Sequence, residues 1–333
     1  MIIYTSDHPL KNQTTTTSSE TKNIRKTRRC FMKRAFLFIL LGAALWGTIG
    51  IYVKQLYTFG FTPMEVVTLR VVTASIILIV YLLVKAPKQL RLQKWTDLRY
   101  FIGTGIFSII FFNYSMFKTI ELSTIPVSAA LLYTAPAFVI ILSFIFFHEA
   151  ITRRKLVALA FTLIGTLFVV ELIPFDAGAI PMITIFIGLC SGVGYALYSI
   201  FSKFALEKYN SLVITTYTFI VASVVLLPFF SYQKHAASLL TPSVLLYAFG
   251  LGFLPTAIAY LIYTYGLKQT EASNASLLTT VEPVVATLVG VFIFQEDFHF
   301  LQVLGMIFII GAVILIQIEL PYKRNKKVNK QIG

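Results

Sequence analysis

The chain has 333 residues, of which 57% are hydrophobic and 13% are charged, and its formal net charge is +14. So large an apolar fraction excludes an ordinary soluble domain, in which about a quarter of the residues are charged. The charge does not indicate a nucleic-acid partner, because residues 1–34 carry a net +6 and residues 321–333 a net +5. Basic tails of this kind mark the cytoplasmic side of a membrane protein, and we expect anionic lipid headgroups as their partners.

The first predicted element is a polar tail, residues 1–33, which is rich in Thr, Ser, Lys and Arg and for which we expect disorder. It does not resemble a signal peptide, because the apolar run after it is long and lacks a small-residue cleavage pattern. Met32 directly precedes that run, so the extension is interpreted either as a loose tail or as the product of a start codon assigned too early. A second basic tail covers residues 320–333.

Between the tails, apolar runs of about 20 residues recur, each long enough to cross a hydrocarbon core of about 30 Å as a helix. Short loops separate the runs, so no soluble domain is inserted between them. The sequence therefore predicts an all-α integral membrane protein with ten transmembrane helices, at residues 34–57, 62–84, 98–118, 124–147, 154–173, 180–205, 211–230, 243–266, 272–294 and 299–319.

The basic residues of the loops predict how these helices are oriented. If the N-terminus is cytoplasmic, the tails and loops of that side hold 24 Lys and Arg residues, and the loops of the other side hold three. Because an even number of crossings returns the chain to its starting side, both termini are expected in the cytoplasm. We predict a multi-pass protein of the plasma membrane.

The second predicted helix contains two of the three ionisable side chains that stand out inside the apolar runs. Glu65 lies within a turn of the helix start, where an interfacial position or the first helical turn accounts for a carboxylate. Arg70 lies about two turns into the run. It has three alternatives: to extend to the interface, to pair with a carboxylate, or to bind an anionic group of a substrate.

The fourth and ninth predicted helices repeat each other at an offset of 147 residues. "LYTAPAFVIILSFIFFHE" (Leu132–Glu149) corresponds to "TTVEPVVATLVGVFIFQE" (Thr279–Glu296), so that Pro136 matches Pro283. The first stretch is followed by the basic "AITRRK" and the second by "DFHF", which has neither Lys nor Arg. This difference indicates two five-helix halves of opposite orientation, an architecture typical of secondary transporters. The predicted halves are residues 34–173 and 180–319.

The third ionisable residue, Glu282, lies beside Pro283 about ten residues into the ninth run. A proline removes one N–H and frees a carbonyl, so both Pro136 and Pro283 predict a helix break whose freed groups need polar neighbours. Ala135 occupies the position equivalent to Glu282, so the carboxylate is not duplicated. We expect Glu282 to bind a proton or a cation during transport; the alternative is a structural carboxylate bonded to a Tyr or Ser of a neighbouring helix.

Other polar and aromatic side chains inside the predicted helices are candidates for lining a central cavity. Aromatic rings with polar tips suit amphipathic solutes, although packing or an interfacial belt also explains them. Asn113 and Tyr260 are equivalent at the offset of 147 and are expected to face each other. The candidates are Trp46, Asn113, Tyr114, Tyr133, Tyr195, Tyr198, Tyr260, Tyr263 and Thr280.

These features together resemble the EamA family of the drug/metabolite transporter superfamily. The resemblance rests on "WG" in the first helix, Arg70 in the second, and the stretches "AALLYTAPAFVIILSFIFFHE" and "LLTTVEPVVATLVGVFIFQE", and it covers about residues 34–319. It implies a secondary transporter of a small solute, amino-acid-like or amphipathic, that works by alternating access. Export fits the resemblance slightly better than uptake, and the motifs do not name the substrate.

Two other functional classes remain as alternatives. A membrane-embedded lipid-modifying enzyme would need clustered Asp, Glu or His at one membrane face, and a channel or scaffold would not need two exchangeable halves. The sequence has neither G-x-x-x-x-G-K-[ST] nor H-E-x-x-H, and "FFHE" offers too few metal ligands, so we predict no enzyme, cofactor or metal site. A homodimer is left open. The small residues of "GLCSG" (Gly188–Gly192) predict close helix packing.

Overall fold

The computed structural model describes residues 18–90, 92–172 and 180–318, and every regular element among them is a helix. Residues 1–17 and 319–333, which include most of the two predicted tails, lie outside the described residues. The membrane helices are numbered α1 to α10. The first half contains α1 (Ser18–Gly47 and Ile49–Thr58), α2 (Pro63–Lys85), α3 (Leu98–Ile102, the π-helical Gly103–Ile110, and Phe111–Leu122), α4 (Ile125–Leu132 and Ala135–Phe147) and α5 (Arg153–Val169).

The second half has the same order of helices. It contains α6 (Met182–Ala205), α7 (Ser211–Leu226), α8 (Pro242–Gly252, the π-helical Phe253–Ile258, and Ala259–Lys268), α9 (Ala272–Leu278 and Val281–Phe294) and α10 (Phe300–Gln317), with a short helix Tyr232–Leu239 between α7 and α8. In the described part of the chain, nine helices are long and apolar enough to cross a membrane. The remaining predicted span corresponds to α5, which has 17 residues.

The first helix begins earlier than the sequence predicts. α1 starts at Ser18, so residues 18–33 are helical, whereas disorder is the expectation for this part of the tail. The segment "SETKNIRKTRR" contains one Glu, two Lys and three Arg among its 11 residues. Because these residues have high helix propensity, the membrane helix continues beyond the apolar run.

The backbone repeats itself in the two halves. α3 and α8 each contain a π-helical stretch, and α4 and α9 are each interrupted near their middle. α4 ends at the left-handed His148, with φ of 54°, and α9 ends at the left-handed Gln295, with φ of 57°. The offset between these two residues is again 147 positions. The fold is therefore two inverted five-helix repeats.

The helix breaks lie just before the two prolines, and threonine hydroxyls donate to carbonyls of the preceding turn. Pro136 and Pro283 are buried in the first turn of the second segments of α4 and α9. Thr134 Oγ1 donates to the carbonyl of Leu131 at 2.6 Å. In α9, Thr279 and Thr280 donate to the carbonyls of Ser276 and Leu277, both at 2.7 Å. A membrane helix can be interrupted only where such donors are available.

Glycines allow the broken helices to approach their neighbours. A Cβ at position 192 of α6 would lie 2.7 Å from Thr134 Oγ1, and one at position 188 would lie 2.3 Å from Leu131 Cδ1. The pattern "GLCSG" thus places the backbone of α6 directly against the break in α4, as the spacing predicts. Gly47 has the same role in α1, because a Cβ there would lie 2.8 Å from the carbonyl oxygen of Glu282.

Buried polar contacts join the halves at both faces of the bundle. We call the basic face the one formed by the α2–α3, α4–α5, α6–α7 and α8–α9 loops. There Asp97, 1% exposed, accepts hydrogen bonds from Lys208 Nζ at 2.7 Å and from the Tyr209 hydroxyl at 2.8 Å. The hydrogen bond to Asp97 raises the pKa of Lys208, so the ammonium group stays charged at neutral pH, and its contribution is lost as the pH rises through that raised value.

At the opposite face, the corresponding contact joins α2 to the short helix. Glu65 accepts the backbone N–H of Thr62 at 2.7 Å, and His235 Nε2 lies 3.1 Å from the same carboxylate oxygen. The His235 ring stacks on Phe61 with its centroid 4.2 Å away. Glu65 is thus a residue of the first helical turn, as one of its two predicted positions has it, and it also holds the short helix between α7 and α8.

The contact at Gly47 gives a test of the packing. Gly47→Ala would place a Cβ 2.6 Å from Val285 Cβ, and we expect a loss of about 1–3 kcal/mol in the free energy of unfolding. Gly50→Ala, in the next turn of α1, meets nothing within 4 Å and should leave stability unchanged or raise it by up to about 1 kcal/mol. Thermal unfolding of both variants in detergent measures the difference, and equal stabilities would contradict the assigned packing.

Candidate functional site

Five of the predicted lining residues form one aromatic cluster between the halves. Trp46 of α1 lies 4.8 Å from Tyr260 and 5.1 Å from Tyr263, both of α8, measured between ring centroids. Tyr195 and Tyr198 of α6 complete the cluster at 6.1 Å from Trp46 and 4.9 Å from Tyr260, respectively. Since α1 and α6 are the first helices of the two repeats, the cluster lies where the halves meet.

A small cavity lies inside this aromatic cluster, with room for about one water molecule. Two of the tyrosine hydroxyls around it are bonded within the protein. Tyr198 bonds to Thr264 Oγ1 at 2.8 Å, and Tyr263 bonds to Ser199 Oγ at 2.6 Å. These two tyrosines therefore fix the shape of the cavity and are already engaged. The lining comprises Trp46, Ser108, Phe112, Tyr195, Tyr198, Ser199, Tyr260 and Tyr263.

Glu282 lies at the edge of the aromatic cluster, in the first turn after the break of α9. The Tyr195 hydroxyl donates to Glu282 Oε2 at 3.0 Å, and Tyr133, at the break of α4, faces the same carboxylate. All three side chains are partly exposed, whereas the other four members of the cluster are buried. The two helix breaks therefore meet at one carboxylate, which is bonded to a tyrosine of a neighbouring helix.

Arg70 is buried near this carboxylate without pairing to it. Its side chain is 6% exposed and lies near enough to Glu282 and Tyr260 to interact with both electrostatically. Within the described part of the chain, its Nε and Nη2 have no hydrogen-bond partner, and neither has Trp46 Nε1. These groups are donors only, and a buried donor without an acceptor costs about 1–3 kcal/mol, more when it is charged. The site thus presents donors that lack an acceptor.

Three predicted lining residues are not part of this arrangement. Asn113 Nδ2 donates to the carbonyl of Ile109 at 2.7 Å, so its amide bonds the π-helical stretch of its own helix instead of facing Tyr260. Thr280 is 1% exposed and bonds its own helix at the break. Tyr114 is 58% exposed, and its predicted place in the cavity is a misassignment: one residue beyond Asn113, it points about 100° away around the helix.

Three residues of the lining, Ser108, Phe112 and Ser199, are not among the candidates predicted from the sequence. A helical signal for them exists. Ser108 and Phe112 are four residues apart on α3, and Ser199 follows Tyr195 by four residues on α6, so each pair shares one helix face. Helical periodicity from Tyr195 therefore indicates Ser199, and it pairs Ser108 with Phe112 on one face of α3.

Comparison with known proteins gives a single family. A model of the EamA-like transporter family matches residues 33–171 and 182–318, once in each half. An uncharacterized transporter of Archaeoglobus fulgidus is 30% identical over 287 residues, which cover 86% of this chain and 97% of the relative. An uncharacterized transporter of Clostridium kluyveri is 29% identical over 316 residues, covering 90% of this chain and 96% of the relative.

Two more distant comparisons agree. The uncharacterized inner membrane transporter YicL of Salmonella typhimurium is 23% identical, over 86% of this chain and 96% of its own length. A solved crystal structure superposes with a TM-score of 0.68 over 84% of this chain and 95% of that chain, at 19% identity. At such an identity the superposition establishes the fold alone.

The hydrogen bond at the carboxylate leads to a prediction. Tyr195→Phe removes the hydroxyl that donates to Glu282, and we expect the free energy of unfolding to fall by about 1–3 kcal/mol, because the carboxylate loses a donor. Tyr114→Phe also removes a tyrosine hydroxyl, but from an exposed ring, and should change the free energy of unfolding by less than about 0.5 kcal/mol. Denaturant unfolding in micelles measures both; equal effects would exclude the assigned bond.

Proposed function

The chain belongs to the EamA-like transporter family, and from this we propose that it is a secondary transporter that moves a small solute across the plasma membrane by alternating access. The two inverted halves would open the site between them first to one side of the membrane and then to the other. The basic face would be cytoplasmic, as the distribution of Lys and Arg indicates, and would lie against anionic lipid headgroups.

One observation carries the assignment of the substrate site: Arg70 and Trp46 have buried donors without acceptors beside the aromatic cluster. A carboxylate or a similar oxyanion of the solute would satisfy these donors, and Arg70 presents them in a planar fork suited to such a group. The aromatic rings would contact the apolar part of the solute. We therefore propose an amino-acid-like or amphipathic solute that carries an anionic group.

Glu282 is the proposed coupling group. Among the described residues, Arg70 is the cation that acts on it electrostatically, the two form no ion pair, and the carboxylate is partly exposed where the two helix breaks meet. A carboxylate in this position can take up a proton or a cation in one access state and release it in the other. Because Ala135 occupies the equivalent position in the first half, a single group would carry the coupling. Export in exchange for an external proton or cation is the direction we propose.

Counterflow in proteoliposomes tests the transport function. With the purified protein and a panel of labelled amino acids and amphipathic carboxylates, we expect saturable exchange for at least one compound. Arg70→Lys keeps the charge but loses the fork of donors, so the half-saturating concentration should rise about 10-fold or more. Arg99→Lys, at the basic face, should behave as wild type. Ohmic conductance would identify a channel, and chemical conversion of the solute an enzyme.

The coupling role of Glu282 leads to a separate prediction. In Glu282→Gln the amide oxygen can still accept the Tyr195 hydroxyl, so the protein should fold while the side chain no longer binds a proton. We expect wild-type export to be faster when the outside is more acidic, and the variant to be insensitive to the pH difference. Glu121→Gln, whose carboxylate is 65% exposed, serves as the control and should keep the wild-type response. Unchanged flux and pH response in Glu282→Gln would exclude the coupling role.

A further inference from the structure

The two faces of the bundle differ in one contact that the inverted repeat would make equivalent. At the basic face, the second segment of α4 (Ala135–Phe147) packs against the first segment of α9 (Ala272–Leu278). The equivalent pair at the opposite face is the second segment of α9 (Val281–Phe294) and the first segment of α4 (Ile125–Leu132). In the described residues, these two segments form no packed interface and no hydrogen bond joins them. This pair of segments is therefore packed together at the basic face and not at the opposite face, where other contacts join the halves.

A carboxylate holds the packed pair together. Glu149, 9% exposed, follows α4 and accepts the backbone N–H groups of Ala272 at 2.7 Å and Ser273 at 3.0 Å. The hydroxyl of Ser273 donates to the same carboxylate. Charge-assisted hydrogen bonds of this kind are about twice as strong as neutral ones, and burial protects them from competition by water. Three donors of α9 thus converge on one residue of the other half.

A buried lysine extends this contact to a third element. Lys155 of α5 is 3% exposed, lies 3.9 Å from Glu149 and forms an ion pair of 2.8 Å with Glu271, which directly precedes α9. Its ammonium group also donates to the carbonyl of Ala150 at 3.0 Å. Since Lys155 belongs to the first half and Glu271 to the second, any separation of the halves at the basic face must break this ion pair.

The residues needed for the equivalent contact, between Glu296 and the first residues of α4, are absent from the opposite face. Glu296, equivalent to Glu149, is 57% exposed and pairs with Lys54 at 3.0 Å. Pro126 occupies the position equivalent to Ser273, so it has neither the N–H nor the hydroxyl. Thr124 already caps that segment by accepting the N–H of Val127 at 3.4 Å. The difference between the faces is therefore built into the residues and is more than a difference of conformation.

We propose that Glu149, Lys155 and the first residues of α9 form a latch that holds the basic face shut and biases the transporter towards the state open at the opposite face. Opening to the basic face requires Glu149 to release Ala272 and Ser273. The proposal rests on the alternating access proposed above. The partial exposure of Tyr133 and Glu282, at the breaks of α4 and α9, agrees with an opening on the other side.

Cysteine accessibility tests the latch. In the full chain with Cys30→Ser and Cys190→Ser, the reporter is Ser276→Cys, because Ser276 lies in the first segment of α9, is 4% exposed and has a hydroxyl without a partner in the described residues. Glu149→Gln keeps one acceptor oxygen but loses the charge. We expect a membrane-impermeant maleimide to label the reporter from the basic face, in inside-out vesicles, about 10-fold faster or more in this variant.

The repeat supplies a matched control. Glu296→Gln makes the same substitution at the equivalent, exposed position and should leave the labelling rate of the basic face unchanged. Equal rates for the two variants, or no increase in a folded Glu149→Gln protein, would overturn the latch. If Glu149→Gln does not fold, as judged by gel filtration, Ser273→Ala decides instead: it removes one donor and should raise labelling by a smaller factor, and an unchanged rate would refute the proposal.

Labelling and transport report on different claims. The rate of maleimide labelling measures how accessible the reporter in α9 is, without any solute, whereas counterflow measures the exchange of solute. If accessibility shifts but no solute exchanges, the latch stands and the proposed transport function fails; if exchange is found with unchanged accessibility, the latch alone fails.

Discussion

The structure depends on how backbone carbonyls are satisfied where α4 and α9 are broken inside the apolar bundle. An unpaired carbonyl in hydrocarbon is costly, so each break needs a donor at hand. Thr134, Thr279 and Thr280 provide those donors from within the broken helices themselves. At these breaks, Tyr133 and Glu282 face each other. The position of the site is thus a consequence of the two helix breaks.

The inverted repeat accounts for the arrangement of the helices, whereas the coupling carboxylate and the proposed latch lie where the two halves differ. Both halves share the π-helical stretches, the prolines and the left-handed helix ends. They differ at position 135, where Ala135 replaces the carboxylate of Glu282, and at position 126, where Pro126 replaces Ser273. A perfectly symmetric pair of halves would favour neither face and would contain two equivalent carboxylates. A preference for one face therefore requires that the two halves differ, and they differ at these residues.

Much of this architecture follows from the sequence, because it depends on local physics. Hydropathy sets the helices, and the match of Pro136 to Pro283 sets the repeat and the breaks. The site follows less completely. Polarity identified Trp46 and Tyr260, but it also selected Tyr114, because composition does not say which way a side chain points. That Arg70 would be left without an acceptor depends on tertiary packing, and so do the two α9 residues that donate to Glu149, which lie 123 and 124 residues away.

The tight packing of the aromatic cluster connects binding to motion. With room for about one water molecule, the cavity admits no metabolite unless the rings of Trp46, Tyr195 and Tyr260 separate. Those rings lie on α1, α6 and α8, so their separation moves the first helices of the two halves relative to each other. Breaking ring contacts costs free energy, whereas an oxyanion that reaches Arg70 recovers the free energy of buried donors without acceptors. In the proposed function, binding a solute of that kind would stabilise the separated arrangement, and a solute without the anionic group would open the cluster without this compensation. This difference between the two kinds of solute is what would make transport selective.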